Sequence, residues 1–322
     1  MILEVQHETV LEYDAPVTES VAEVRMEPVS DDDQSCCSFH LAIGPQTALF
    51  RYTDGFGNRV HHYTLVPPHA QTRVLAASVV ETHPKPRDLA SSRATYPLNL
   101  DTADLEVLGF LMMRGPVRPT PLLQPLLAAV RPNNGMRISD FVLQVNHYIH
   151  THFTYAKAVT AASSPIDDVL EKGKGVCQDF AHLMIAVLRT YGIPARYVSG
   201  YIHRANKESQ SHAWCEVWLP DRGWIGFDPT HDQVVTETFV KVAFGRDFTD
   251  VTPNRGIYRG LATETISVRV ATRALEKLPK LSWQEQLPTF EVPLTPVFCN
   301  MNDLDEHSDE QVERQQQQQQ QQ

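Results

Sequence analysis

The sequence predicts an α+β protein: an antiparallel β domain, then a run of helices, then further strands. Three observations carry the prediction. Through residues 1–83, apolar and polar residues alternate in runs separated by turn residues, the pattern of half-buried strands. Residues 101–192 change to apolar spacings of three and four, the pattern of helices. Residues 195–228 return to short strand-like runs.

The elements follow in order. "LEVQHETVLEY" has the period-two pattern of a strand. "ALFRYT" and "RVHHYTLV" flank "DGFGN" and read as a hairpin turned at Asp54, Gly55, Gly57 and Asn58. "RVLAASVVETH" is a further strand, and residues 84–100 read as a linker rich in proline and serine. Helical spacing appears at 101–114, in the proline-bounded "TPLLQPLLAAV", and most clearly in "ISDFVLQVNHYIHTHF", where Phe141, Val145, Tyr148 and Ile149 form a stripe. "SSPIDDVLEKGKG" predicts a short helix capped by Ser163 or Ser164, with Pro165 early and Gly173 at its end. In the next helix Phe180, Leu183, Met184, Val187 and Leu188 mark one face, and Gly192 and Pro194 stop it. "ARYVSGYIH", "SHAWCEVWL" and "WIGFDPTHD" read as strands, and more follow over 234–290. The expected organisation is a β domain at 1–83, a linker at 84–100, a core with C-terminal strands at 101–298, and a disordered, glutamine-rich tail at 299–322.

Composition narrows the function. A chain of 322 residues exceeds what one compact core needs. Its 28 Lys and Arg against 39 Asp and Glu give a net charge of −11, and the basic residues form no run. Nucleic acid is therefore not an expected partner. No apolar run approaches the roughly 18 residues of a membrane span, and the N-terminus does not read as a signal peptide. A cytoplasmic protein is expected. The five cysteines (Cys36, Cys37, Cys177, Cys215 and Cys299) include no CxxC pair, so neither a disulfide framework nor a zinc site is expected.

The chemistry centres on "GKGVCQDF". Cys177 falls at a helix start, where the dipole favours a thiolate and the first-turn amides are free to bind an oxyanion. Gly173 and Gly175 let the preceding loop bend and leave room for a substrate backbone. A cysteine nucleophile needs a base held by a third group. On "SHAWCEVWL", His212, Trp214, Glu216 and Trp218 share one strand face. If the following turn centres on Asp221, position 212 pairs near 230, and Asp228 lies diagonally across on the face of His212. Asp228 would then hold the imidazole and stabilise its charged form.

These residues, in "GVCQDFAHLMIAVLRTYGIPARYVSGY", "SHAWCEVWL" and "GWIGFDPTHD", resemble the transglutaminase-like superfamily. "YDAPVTESVAEVRMEP", "DGFGNRVHHY" and "VKVAFGRDFTDVTPNRGIYRG" resemble its bacterial members. The resemblance implies a papain-like core with the cysteine helix on an antiparallel sheet, and Cys177, His212 and Asp228 as a catalytic triad. It implies acyl transfer on amide bonds through a thioester, with a peptide or protein as substrate. Water as acceptor gives a cysteine peptidase or amidase; an amine acceptor gives a transglutaminase; a peptide-binding module that kept the fold is a further alternative. The sequence departs from the animal enzymes in one respect: they carry a tryptophan upstream of the cysteine that helps the oxyanion, and here the first tryptophan is Trp214. Tyr155 is the candidate for that role. Trp214 is a candidate wall of the substrate cleft, with plain packing as its other reading. No calcium loop, metal or cofactor is expected. Of the competing residues, His182 lies about 140° around the helix from Cys177, Cys215 faces opposite His212, and Asp179 is expected to point away from the thiol. His231 is a rival base, and Cys36 and Cys37 read as an edge detail of the β domain.

Overall fold

The computed structural model describes residues 1–84, 88–101, 103–157, 159–160, 164–205 and 210–279; the expected tail at 299–322 lies outside the described residues. The first sheet contains β1 (Ile2–Val24), β2 (Gln34–Gly44), β3 (Leu49–Thr53), β4 (Arg59–Leu65) and β5 (His69–Thr82), in the order β2-β5-β1-β4-β3. Alternation sets its inner face: Leu3, Val5, Leu11, Tyr13 and Val17 of β1 are buried.

The helical region contains α1 (Leu105–Gly109), α2 (Gln124–Ala129) and α3 (Ile138–His152). The helix expected over 101–114 shrinks to α1, where Val107 is buried, Phe110 is buried just beyond its end, and Leu105 is 86 % exposed. Next come β6 (Thr154–Tyr155), α4 (Ile166–Lys172), β7 (Lys174–Gly175) and α5 (Cys177–Thr190). Pro165, not a serine, occupies the cap position of α4, and Ser164 donates to the Asp168 carboxylate at 2.9 Å. Gly173, at φ +63°, closes that helix in the left-handed conformation glycine favours. β7 then pairs in parallel with β6, which sets Tyr155 beside the loop leading into Cys177.

The second sheet, in the order β11-β10-β9-β8-β12, contains β8 (Ala195–Ile202), β9 (Ser211–Leu219), β10 (Gly223–Asp228), β11 (Gln233–Val234) and β12 (Phe239–Gly245). All its pairings are antiparallel. Helix α5 packs on β8 and β9, and from Gln178 to Arg189 every residue of it is buried. Beneath the sheet, Glu216 meets Arg196 Nε at 2.7 Å and Lys241 Nζ at 2.5 Å. Burial alone would raise its carboxyl, but these two cations outweigh burial and hold it at about 2.

The last strands, β13 (Asn254–Arg259) and β14 (Glu264–Leu275), correct the expected organisation. The sequence reading placed them with the core. Both pair with β1 instead: β14 along Ile2–Tyr13 and β13 along Thr18–Val24. The chain therefore returns to complete the first sheet. The two sheets are tied together: Asn58 Nδ2 donates to Phe244 O at 2.8 Å, Lys241 N donates to Gln34 Oε1 at 2.8 Å, and Thr82 Oγ1 donates to Glu237 O at 2.6 Å. Leu3, Val5 and Val80 of the first sheet share one apolar core with α5 and β9.

Candidate active site

Cys177 is the first residue of α5, and the first intrahelical bond runs from Phe180 N–H to Val176 O at 3.1 Å. The amides of Cys177 and Gln178 thus lie ahead of the helical ladder. Asp179, expected to point away from the thiol, does not line the pocket at Cys177. Its Oδ2 folds back to accept from Val176 N–H at 2.8 Å and from Thr160 Oγ1 at 2.6 Å. Burial raises this carboxyl to about 6, against the pull of those two donors. Gly175 serves that cap: a Cβ there would stand 2.7 Å from Asp179 Oδ2. Its smallness makes room for the carboxylate rather than for a substrate.

His212 and Asp228 meet as the strand register requires. β9 and β10 pair from Gly223–Leu219 to Phe227–Cys215, a turn centred on Asp221, so the next step sets Asp228 opposite Trp214 and diagonal to His212. His212 Nε2 lies 2.8 Å from Asp228 Oδ2, with both side chains buried. Cys177 hydrogen bonds to the same imidazole. With Nε2 committed to Asp228, Nδ1 is the nitrogen left for the thiol. Burial would lower the ring's value; the Asp228 charge and hydrogen bond, followed by Cys177, overcome this and raise it to about 10. Asp228 is held well below the carboxylate range, because His212 and His231 outweigh its own burial. The ring therefore stays charged at neutral pH, beside the sulfur.

The other candidates separate. Trp214 is a correction: it is fully buried, 6.3 Å ring to ring under His212 and 5.3 Å from Phe239, and it does not line the pocket at Cys177. Tyr155 does line that pocket and is 45 % exposed; burial and the nearby Cys177 push its phenol up to about 12, so it keeps its proton. His182 is buried and accepts from Phe248 N–H at 3.1 Å, with burial pushing it down to about 3. Cys215 lies in the core on the opposite face of β9. Cys36 and Cys37 lie on β2, where burial pushes Cys36 up to about 12.

Two features escaped the sequence reading. The first sheet walls the pocket, through His7 and Thr9 of β1 and Val268 of β14. The signal was present: His7 and Thr9 are polar residues at buried positions of an apolar alternation. His7 bonds Tyr201 Oη at 2.8 Å and Thr9 Oγ1 at 3.3 Å, and burial pushes it down to about 4, so it is neutral. The second is a bond: His231, read as a rival base, has its Nδ1 2.6 Å from the same Asp228 Oδ2 that His212 uses. The ligand atoms of His212, Asp228 and His231 fall within 4.8 Å of one another, close enough for one ion, yet one nitrogen of each ring is already bonded to that oxygen.

With this geometry in view, the similarities are specific. The profile of the transglutaminase-like superfamily matches residues 128–229, and that of the bacterial transglutaminase-like N-terminal region matches residues 3–81. An uncharacterised protein of Mycobacterium leprae is 34 % identical over 281 residues, covering 83 % of this chain and 97 % of that one. A protein-glutamine gamma-glutamyltransferase of Pseudomonas aeruginosa is 31 % identical over 133 residues, 38 % of this chain and 20 % of that protein. The crystal structure of a Cytophaga hutchinsonii protein, described as a candidate cysteine protease, shares the fold at 22 % identity, with a TM-score of 0.73 over 87 % of this chain and 93 % of that one.

Proposed function

The chain belongs to the transglutaminase-like superfamily, and from that premise we propose that it carries out thiol-dependent acyl transfer on amide or peptide bonds in the cytoplasm, through Cys177, His212 and Asp228. The observation that carries the reading is the buried His212–Asp228 pair at 2.8 Å with the Cys177 thiol on the same imidazole, at a helix N-terminus. Cys177 Sγ attacks the carbonyl, and its proton rests on His212. The first-turn amides of α5 and the protonated Tyr155 phenol stabilise the oxyanion. His212 passes the proton to the leaving amine, and the acyl group stays on sulfur as a thioester. Water, deprotonated by His212, then releases the acid and restores the thiol. Asp228 orients the ring and balances its charge throughout.

Hydrolysis is favoured because Cys177 is partly exposed, which leaves the thioester open to water. The second reading, an amine acceptor, is supported by the Pseudomonas aeruginosa relative, which bears the name of a gamma-glutamyltransferase. A binding module that kept the fold is disfavoured, because all three residues are present and hydrogen-bonded in sequence. The substrate is read as a peptide or protein; no nucleic acid, membrane or metal takes part. The test is incubation with a peptide library and a labelled primary amine. Cleavage or deamidation supports hydrolysis, and amine incorporation supports the second reading. Turnover that survives Cys177→Ser defeats the mechanism.

A further inference from the structure

Asp228 serves two histidines through one oxygen. His212 Nε2 stands 2.8 Å from Oδ2 and His231 Nδ1 stands 2.6 Å from it, while Oδ1 accepts from Thr230 N–H at 2.9 Å. The rings of His212 and His231 are 5.1 Å apart. Two imidazolium ions competing for one buried carboxylate oxygen would weaken its hold on either. The structure resolves the competition chemically. Arg204 Nη2 hydrogen bonds to His231 Nε2. A guanidinium has donors only, so His231 Nε2 must carry a lone pair and not a proton. The proton of His231 therefore sits on Nδ1 and is donated to Asp228.

We infer that Arg204 and His231 are positioning residues: Arg204 locks His231 in its neutral, Nδ1-protonated form, and His231 then holds the Asp228 carboxylate while leaving its charge to His212. The inference rests on the functional reading above. The turn that bears His231 is itself fastened to α3. His150 Nδ1 bonds Thr230 O at 3.0 Å, Asn146 Nδ2 donates to Asp232 Oδ1 at 3.0 Å, and His147 Nδ1 meets Asp232 Oδ2 at 2.7 Å. Asp232 takes φ +51° to make these contacts. Besides Asp228 and His212, the titratable or charged groups around the ring are Arg204 and Tyr155, which line the hollow beside it. His231 is not the base: its Nδ1–H is spent on Asp228, and its Nε2 faces the guanidinium, whereas His212 meets the thiol.

The direct test is nitrogen NMR of the full chain labelled at histidine, with His231 assigned by its loss in His231→Asn. The expected spectrum shows His231 as the neutral Nδ1–H form at neutral pH, and a mixture of both neutral forms in Arg204→Met. The functional arm follows alkylation of Cys177 by iodoacetamide. Loss of one hydrogen bond to a charged acceptor predicts about a tenfold slower reaction in His231→Ala. His231→Asn, whose amide N–H takes the place of Nδ1–H, should remain within about threefold of wild type. A protonated or Nε2–H His231 in the wild type overturns the inference, as does a His231→Ala protein that alkylates at the wild-type rate. A wild-type Cys177 with ordinary thiol reactivity overturns the functional reading and this inference with it. A fast wild-type thiol with indifferent variants overturns only the inference.

Discussion

Replacing Asp228 with asparagine deletes one charge and keeps the side-chain shape. In the wild type His212 is raised to about 10, although burial alone acts to lower it. Without the carboxylate, burial is the main influence left, so the ring should fall to the ordinary histidine value of about 6.5 or below it. That difference is on the order of a thousandfold in the protonation equilibrium, or roughly 5 kcal/mol. At neutral pH the variant's imidazole would be largely uncharged, leaving only the N-terminal dipole of α5 to favour a thiolate. The assay is the rate of Cys177 alkylation by iodoacetamide from about pH 5 to about pH 10, read by peptide mass mapping. The wild type should react at a nearly constant rate through the neutral range. Asp228→Asn should behave as a plain cysteine, with its rate climbing toward the value of about 8.5 where free thiols ionise. At about pH 6 it should be slower by on the order of a hundredfold, since lost thiolate outweighs the higher nucleophilicity of a more basic sulfur. Superimposable profiles for the two proteins would refute the reasoning.

Three more expectations concern the surroundings of the triad. Gly200 is the cross-strand partner of His212, and a Cβ there would stand 2.1 Å from Val240 O and 2.6 Å from Trp214 Cη2; Gly200→Ala should destabilise the fold by about 2–3 kcal/mol in urea titrations, and an unshifted midpoint would show that the strands relax around it. Val268→Trp should fill the pocket wall contributed by β14 and cut peptide turnover at least about tenfold while leaving iodoacetamide reactivity within about twofold; equal losses with both reagents would mean that the triad itself had moved. Stability should also vary with pH in a defined sense. The raised His212 contributes stability that is complete below about 6.5 and lost as pH rises toward about 10. The lowered Asp228 contributes stability that is complete above its ordinary 3.8 and lost in stronger acid. Asp179, raised to about 6 by burial, favours the acid side of that value. His7 and His182, pushed down to about 4 and about 3 by burial, cost stability as pH falls below about 6.5, where only the unfolded chain takes up their protons. The urea midpoint should therefore peak between about pH 6 and about pH 7 and fall toward pH 10; a midpoint that climbs from about pH 7 to about pH 9 would contradict this.

The parts of the site legible in the sequence were those fixed by short-range geometry. A turn centred on Asp221 and the two-residue period of a strand suffice to bring position 228 to position 212, and the structure has that register. The start of α5 was equally legible, because two glycines precede Cys177 and an apolar face follows it. What escaped depends on partners distant in the chain. Val268 could be read as a strand residue, but its pairing with Thr9 across the first sheet leaves no local mark, so the β domain's part in the pocket was invisible. Trp214 has the parity of His212, yet parity does not distinguish the mouth of a cleft from the layer beneath it. Phe239, brought in by β12, closes over Trp214. Asp179 was judged on charge alone, although the missing Cβ of Gly175 gives its carboxylate a place on the helix cap. His231 looked like a rival base until Arg204, on the loop after β8, was seen to occupy its outer nitrogen.

The account stands on Cys177 acting as the acyl-accepting nucleophile. Acid-quenched mass spectrometry after brief mixing with 4-nitrophenyl acetate measures this directly. The prediction is a hydroxylamine-labile acetyl group on the peptide containing Cys177, formed at neutral pH and lost from that peptide in Cys177→Ser. An acetyl group spread equally over Cys36, Cys37 and Cys177, or absent from Cys177 altogether, would contradict it.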